Sequence, residues 1–235
     1  PSWANGTEVF VNGRREESVE AGTMHVIDRS WKNGDKVNLR FPMPITTSHW
    51  HARSVSFERG PLVYALDVRG ESSHIPAPRP EGVPDSGPDR GYLEVKPTKP
   101  WNYAIPLPVR NQPGKNSTLE IMDEIPDNPW TSDSAPMKIK TWGLRLDDWK
   151  IDRNSASPPP LSPAELPDGA TLEEITLIPY GSTTLRVAAF PWVKWKGELK
   201  KDAVAQEKPQ PRSDDTRPNF VFFITDDIGY RDLGF

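Results

Sequence analysis

Twenty-seven prolines run through the 235 residues of this chain, against 16 glycines. Proline has no backbone N–H and a fixed φ, so it breaks helix interiors and is confined to the ends, edges and bends of sheets. A chain punctuated this way is closed to long helices. It suits short strands joined by rigid loops. The stretch Arg59-Gly60-Pro61-Leu62-Val63-Tyr64-Ala65-Leu66-Asp67 is the centre of such a chain. Gly60-Pro61 forms a turn, and Leu62 to Leu66 is a short apolar run bounded by charge, the pattern of a buried strand. Val55 to Glu58 alternates, which predicts a strand with one wet face.

Other strands follow from the same rules. Glu8 to Val11 is a strand, and Asn12-Gly13 after it is a hairpin signal. Met24 to Arg29 alternates. Lys32-Asn33-Gly34-Asp35 is a turn. Lys36 to Phe41 alternates strictly, which predicts that Val37, Leu39 and Phe41 face the core. Ile45 to Trp50 continues the sheet. Gly70 to Lys99 is too polar to hold a core and reads as a long surface loop, with a short strand near Gly91 to Val95. Leu119 to Ile125 and Met137 to Leu146 are strands, and Asn128-Pro129-Trp130 is a turn with a buried indole. Asn154 to Pro167 is a second Pro-rich loop. Glu174 to Ile178 and Thr183 to Phe190 close the fold through Pro179-Tyr180-Gly181. From about residue 194 to 217 the composition is that of a linker. Asn219 to Thr225 is one more apolar strand, expected to open a domain that is cut off.

The predicted fold class is all-β, with two β-sandwich-like units. The domains are 1–69, a Pro-rich loop at 70–91, a second unit at 92–193, a linker at 194–217 and an orphan strand segment at 218–235. The net charge of −4 is mild and points to neither nucleic acid nor an anionic membrane surface. No apolar run approaches the roughly 20 residues that span a bilayer. There is no cysteine, so thiolate zinc sites and a thiol nucleophile are excluded from the chain itself.

Several groups of residues carry side chains capable of chemistry. His49 and His51 have strand spacing, but a zinc pair lacks a third ligand nearby, and surface histidines, like His25 and His74, are the simpler reading. Trp101, Tyr103, Trp130, Trp142 and Trp149 are either a sugar-stacking platform or rings that fill the core and staple the loops. Asp123-Glu124 and Asp147-Asp148 are acidic pairs, but nothing in the sequence places them across a cleft as glycosidic chemistry requires. Asn5-Gly6-Thr7 and Asn116-Ser117-Thr118 match a common glycosylation sequon.

A series of phrases resembles the C-terminal β-domains of glycoside hydrolase family 127, the β-L-arabinofuranosidase-like proteins. They are Pro1-Ser2-Trp3-Ala4, Val11-Asn12-Gly13, Arg29-Ser30-Trp31-Lys32-Asn33-Gly34-Asp35, Arg59-Gly60-Pro61-Leu62-Val63-Tyr64, Pro100-Trp101-Asn102-Tyr103, Asn128-Pro129-Trp130-Thr131 and Leu177-Ile178-Pro179-Tyr180-Gly181, in the family's order. The resemblance implies β-sandwich domains that support an (α/α) catalytic barrel lying before them. The family's cysteine nucleophile and its zinc site of cysteines with a glutamate have no counterpart here, so no catalytic residue is carried over. The implied partner is that missing barrel, and the implied substrate is a plant or algal polysaccharide, in a periplasmic or extracellular setting. The alternative is a stand-alone carbohydrate-binding module that stacks sugars on its aromatic rings.

Arg217 to Gly234 resembles the opening strand of type I sulfatases. That resemblance implies Asp226 and Asp227 as calcium ligands of a complete sulfatase domain. Calcium takes six to eight oxygens, so two aspartates make an incomplete site and no cofactor is expected in this chain. The formylglycine precursor motif is absent as well, so the tail is expected to have no sulfatase activity.

Overall fold

A computed structural model describes residues 1–16, 19–76, 91–153 and 155–199. Among them the protein is all-β, and the short helix α1 (Leu107–Asn111) is its one α-helix. The described residues belong to one compact unit, Pro1–Val204. No described helix is long and apolar enough to cross a membrane. The expected tail strand, with Asp226 and Asp227, lies outside the described residues, as does most of the expected linker.

The chain opens with a three-stranded antiparallel sheet, in the order β2-β1-β3, from β1 (Glu8–Val11), β2 (Arg14–Arg15) and β3 (Val37–Arg40). Asn12 and Gly13 join β1 to β2 with φ of 51° and 78°. That is the pair of positive angles a two-residue hairpin turn needs, and Asn-Gly supplies it at least cost. The side chain of Asn12 then ties this turn to the next one. It donates to Asp35 Oδ1 and accepts from the backbone N–H of Lys36, both at 2.8 Å. Held by Asn12, by the Lys32 backbone and by nearby Arg29, the Asp35 carboxyl titrates below its ordinary value.

The strict alternation of residues 36–41 identifies a face but not its cover. Val37 and Leu39 stand opposite Val11 and Val9. Val9 and Val11 are buried, whereas Val37 and Leu39 are 45% and 56% exposed. β1 is the central strand of this sheet, and β3 is an edge strand whose apolar side chains remain in solvent. Met24 to Arg29 forms no strand, and Met24 and Val26 are exposed.

The main sheet begins with β4 (Ile45–His49), β5 (Val55–Arg59) and β6 (Leu62–Leu66). Gly60, at φ +58°, turns β5 into β6, and Pro61 fixes the next residue. A side chain at Gly60 would also displace Met43, since a Cβ there would lie 2.5 Å from its Sδ. The apolar run Leu62 to Leu66 is the strand expected, with Tyr64, Ala65 and Leu66 buried. The expected wet face of β5 is wet at one end only: Ser56 is buried along with Val55 and Phe57, whereas Glu58 is half-exposed.

Within residues 70–99, β7 (Gly70–Ile75) and β8 (Tyr92–Pro97) pair as an exposed two-stranded ribbon. Part of the expected loop is therefore a hairpin arm. The second strand falls where a short strand is expected, near Gly91 to Val95, whereas β7 is not legible because its residues are mostly polar and none of them is buried. The chain then returns to the main sheet through β9 (Tyr103–Pro106), β10 (Thr118–Ile121) and β11 (Met137–Arg145). The small pair β12 (Ile151–Asp152) and β13 (Ser155–Ala156) follows, then β14 (Leu172–Pro179) and β15 (Trp192–Val193). The sheet order is β15-β9-β11-β14-β6-β5-β4, with β10 also paired to β11.

This order crosses the expected boundary between residues 69 and 92. Leu177 of β14 pairs with Leu66 of β6, so one sheet draws on both spans. Antiparallel partners share a face. Phe57, Tyr64, Leu66, Leu177 and Ile139 follow one another across the sheet on one face, with Ile175 one step along. These residues form the main core, closed by Val55, Ile105, Val109 and Phe190. Phe57 and Phe190 meet edge to face, their centroids 6.4 Å apart. Residues 183–190 form no strand of their own, but Phe190 bridges to Val55 and Leu66 N–H donates to the Val187 carbonyl.

A second core gathers Ala104, Leu144, Leu146, Trp149 and Val193, with Ala164, Leu166 and Ala170 of the Pro-rich loop laid over it. The Pro-rich chain from 157 to 170 is thus structural cover. At the start of the expected linker, Trp195 packs on this second core and Leu199 on the first.

Candidate functional site

The aromatic residues singled out in the sequence fall into two kinds of place. Trp149 is buried, its Nε1 donates to the Ser157 carbonyl, and Trp101 meets it edge to face at 5.0 Å. Trp142 is partly buried against the main core. Tyr103 sits on β9 opposite Arg145, at the end of the core-facing side of the sheet. Its hydroxyl donates to Glu173 Oε2 at 2.7 Å, and burial together with that carboxylate pushes its pKa up to about 12. Gly143 lies between Tyr103 and Ile175, and a Cβ there would stand 3.1 Å from each of them. Trp149 and Tyr103 are buried, and Trp101 and Trp142 are partly buried against the cores.

Trp130 differs. The indole expected to be buried is 58% exposed. The turn that carries it is held from below. Asn128 Oδ1 accepts from the Trp130 N–H at 3.2 Å, Ser134 Oγ donates to the Asn128 carbonyl, and Ser182 Oγ donates to the Pro129 carbonyl at 2.9 Å. The ring rests on Gly181, where an added Cβ would lie 3.3 Å from Cε3 and Cζ3 of the indole. The turn signal in Asn128-Pro129 was legible. The exposure of the ring was not, because a flat partner at Gly181 supports the ring without enclosing it.

Beside Gly181 stands Tyr180, 42% exposed, with the guanidinium of Arg186 over its ring at 4.9 Å. Arg186 Nε donates to the Thr183 carbonyl at 3.1 Å. Arg186 was not singled out from the sequence, and Tyr180 entered there only within the Leu177 to Gly181 phrase, as part of a turn and of the family resemblance. The same two loops border a cleft of about 180 Å³ lined by Val68, Arg69, Ser132, Thr183, Thr184 and Leu185 among others.

Arg69 in that cleft is claimed by two carboxylates. Its Nη1 pairs with Asp133 and its Nη2 donates to Asp67 Oδ2 at 3.3 Å. Nε of Arg69 and Oδ1 of Asp67 are 3.2 Å apart but are not aligned for a hydrogen bond. The bond to Asp133 raises the Arg69 pKa further and holds the Asp133 carboxyl below its ordinary value. The cleft is polar and close to charge balance.

The remaining candidates are dispersed. All four histidines are exposed. His49 Nε2 lies 2.7 Å from Arg110 Nη2, a cation that competes with a metal for the same lone pair. Among the described residues no three His, Asp or Glu side chains gather as a metal site. Asp123, Glu124, Asp147 and Asp148 are exposed. Asn116 Nδ2 donates to the Pro108 and Gln112 carbonyls, at 2.9 and 3.0 Å.

Residues 1–43 match the family model described as beta-L-arabinofuranosidase, GH127 middle domain. A comparison with curated proteins returns no match. Two solved structures are similar over 83% of the chain. One is described as a glycoside hydrolase, with 21% identity, a TM-score of 0.44 and 27% of its own length covered. The other is a GH127 beta-L-arabinofuranosidase from Geobacillus stearothermophilus T6, with 23% identity, a TM-score of 0.42 and 25% covered. The chain thus spans about a quarter of the length of these solved structures.

Proposed function

We propose, from the match of residues 1–43 to a GH127 middle domain, that this chain is a non-catalytic supporting β-region of a glycoside hydrolase. The matched segment contains the complete three-stranded sheet β1–β3. Its exposed apolar side chains Met24, Val26, Trp31, Val37 and Leu39 are what a domain interface would use. In this reading the partner is an (α/α) barrel that carries the chemistry, the substrate is a plant or algal polysaccharide, and this chain buttresses the barrel. The sulfatase-like tail extends the reading to a glycosidase–sulfatase fusion, in which Asp226 and Asp227 bind calcium once a complete sulfatase domain is present.

The coding DNA on both sides of the segment tests this. An upstream helical barrel with a glutamate and a cysteine cluster is expected, and a Cys/Ser-x-Pro-x-Arg downstream. The barrel expressed with this chain should hydrolyse an aryl β-L-arabinofuranoside, and the chain alone should not. Turnover by the chain alone, or an unrelated upstream sequence, overturns the reading. A second reading, carbohydrate binding by aromatic stacking, is favoured by one observation, the supported and exposed ring of Trp130.

A further inference from the structure

We infer that the free edge of β3 is a docking site for one more strand, a segment from outside this chain that alternates apolar with acidic side chains. The inference deepens the supporting-region reading, which makes the rest of the parent polypeptide the source of that strand. Among the described residues β3 pairs with β1 and with no other strand. Asn12 N–H donates to the Lys36 carbonyl at 2.8 Å. In an antiparallel ladder the residues that bond to the partner strand alternate with those that do not. Asn38 and Arg40 therefore share the bonds to β1, opposite Phe10 and Glu8. The N–H and C=O groups of Val37 and Leu39 point out of the sheet, a template for a further strand.

The side chains of the edge set the chemistry of its occupant. Val37 and Leu39 lie on the face of Val11 and Val9, and all four residues of β3 are exposed. Apolar residues on the added strand would sit beside Val37 and Leu39 and extend that apolar face across the edge. The opposite face carries Asn38 and Arg40 and, by alternation, Lys36. Arg15 stands there as well, opposite Phe10. Glu8 is the one carboxylate that the three strands place on this face, and Arg15 and Arg40 both pair with it, at 3.1 and 3.6 Å. Asp35, next to Lys36, is engaged by Asn12, Arg29 and the Lys32 N–H. The cations thus exceed the carboxylate along this edge. Acidic side chains on an added strand would meet Lys36 and Arg40 directly. A second copy of this chain would bring its own Lys36 and Arg40 to the same face, where like charges oppose pairing.

The test is an NMR titration of the isotope-labelled full chain with two capped peptides, one alternating glutamate with valine (EVEVEVE) and one alternating lysine with valine (KVKVKVK). Lys36→Glu and Leu39→Pro are compared with the wild type, and circular dichroism checks their folding. Leu39→Pro removes an outward N–H and spares the bonds to β1. EVEVEVE is expected to shift the amide signals of Val37 to Arg40 and to bind about two- to fivefold tighter than KVKVKVK. That preference should shrink or reverse in Lys36→Glu, and the shifts should vanish in Leu39→Pro. Equal or tighter binding of KVKVKVK, or a preference that Lys36→Glu leaves unchanged, overturns the acidic occupant. Shifts that persist in a folded Leu39→Pro overturn pairing through the edge; if that variant does not fold, Lys36→Glu decides alone. Shifts of the same amides on concentrating the protein without peptide assign the edge to a second copy and overturn the proposal. No shift at Val37 to Arg40 with either peptide overturns the site and leaves the supporting-region reading to the coding DNA and the turnover assay.

Discussion

Gly143 lies in the middle of β11, where a glycine ordinarily weakens a strand. Its φ is not in the left-handed region, so its backbone accepts any residue. Replacing a compatible glycine with alanine stabilises by about 0.4–1 kcal/mol through the unfolded chain. Space opposes this. A Cβ at Gly143 would lie 3.1 Å from Tyr103 Cδ1, 3.1 Å from Ile175 Cδ1 and 3.2 Å from Ile175 Cγ2. Neither neighbour is free to yield. The Tyr103 ring is tethered through its hydroxyl to Glu173, and Cγ2 of Ile175 sits on a branched carbon with restricted χ1. Overpacking of this kind costs about 1–3 kcal/mol. The net expectation for Gly143→Ala is about 1–2 kcal/mol of destabilisation, or roughly 2–8 °C in Tm for a domain of this size. Thermal and urea unfolding read it directly. Ile175→Val removes one of the three clashing atoms, so the double variant should recover part of the loss, with a coupling above about 0.5 kcal/mol. A Tm for Gly143→Ala equal to or above the wild type, or strict additivity in the double variant, refutes the packing argument.

Two further outcomes follow from the core. Phe57→Ala removes a fully buried ring in edge contact with Phe190 and should cost about 3–5 kcal/mol in urea unfolding; a loss under about 1 kcal/mol would mean that β5 is not central to the fold. Tyr103 has a folded pKa raised from 10 to about 12, so its stabilising effect is complete below pH 10 and is lost as pH rises through 12. The full shift corresponds to a ceiling of about 2.7 kcal/mol, and the partly buried hydroxyl–carboxylate pair reduces that to about 1 kcal/mol. Unfolding followed from pH 9 to 12 should show the wild type losing stability relative to Tyr103→Phe, and parallel curves would refute the rise in the Tyr103 pKa that burial and Glu173 produce.

The sequence by itself determined the class and most of the strands of this protein. Proline spacing excludes long helices, Asn12-Gly13 and Gly60-Pro61 fix two hairpins through φ alone, and the apolar run at Leu62–Leu66 has nowhere to go but a core. These are local properties, decided within a few residues. Tertiary structure alone decided cover and neighbourhood. Val37 and Leu39 have the alternation of buried residues, yet they are exposed beside their buried partners Val11 and Val9. Leu66 and Leu177 join the two spans of chain into one sheet across a sequence separation that no local pattern encodes. Trp130 looked like a buried ring, and a glycine 51 positions later left it standing in solvent. A residue's chemistry sets which partners it favours, but burial is a property of where the rest of the chain passes.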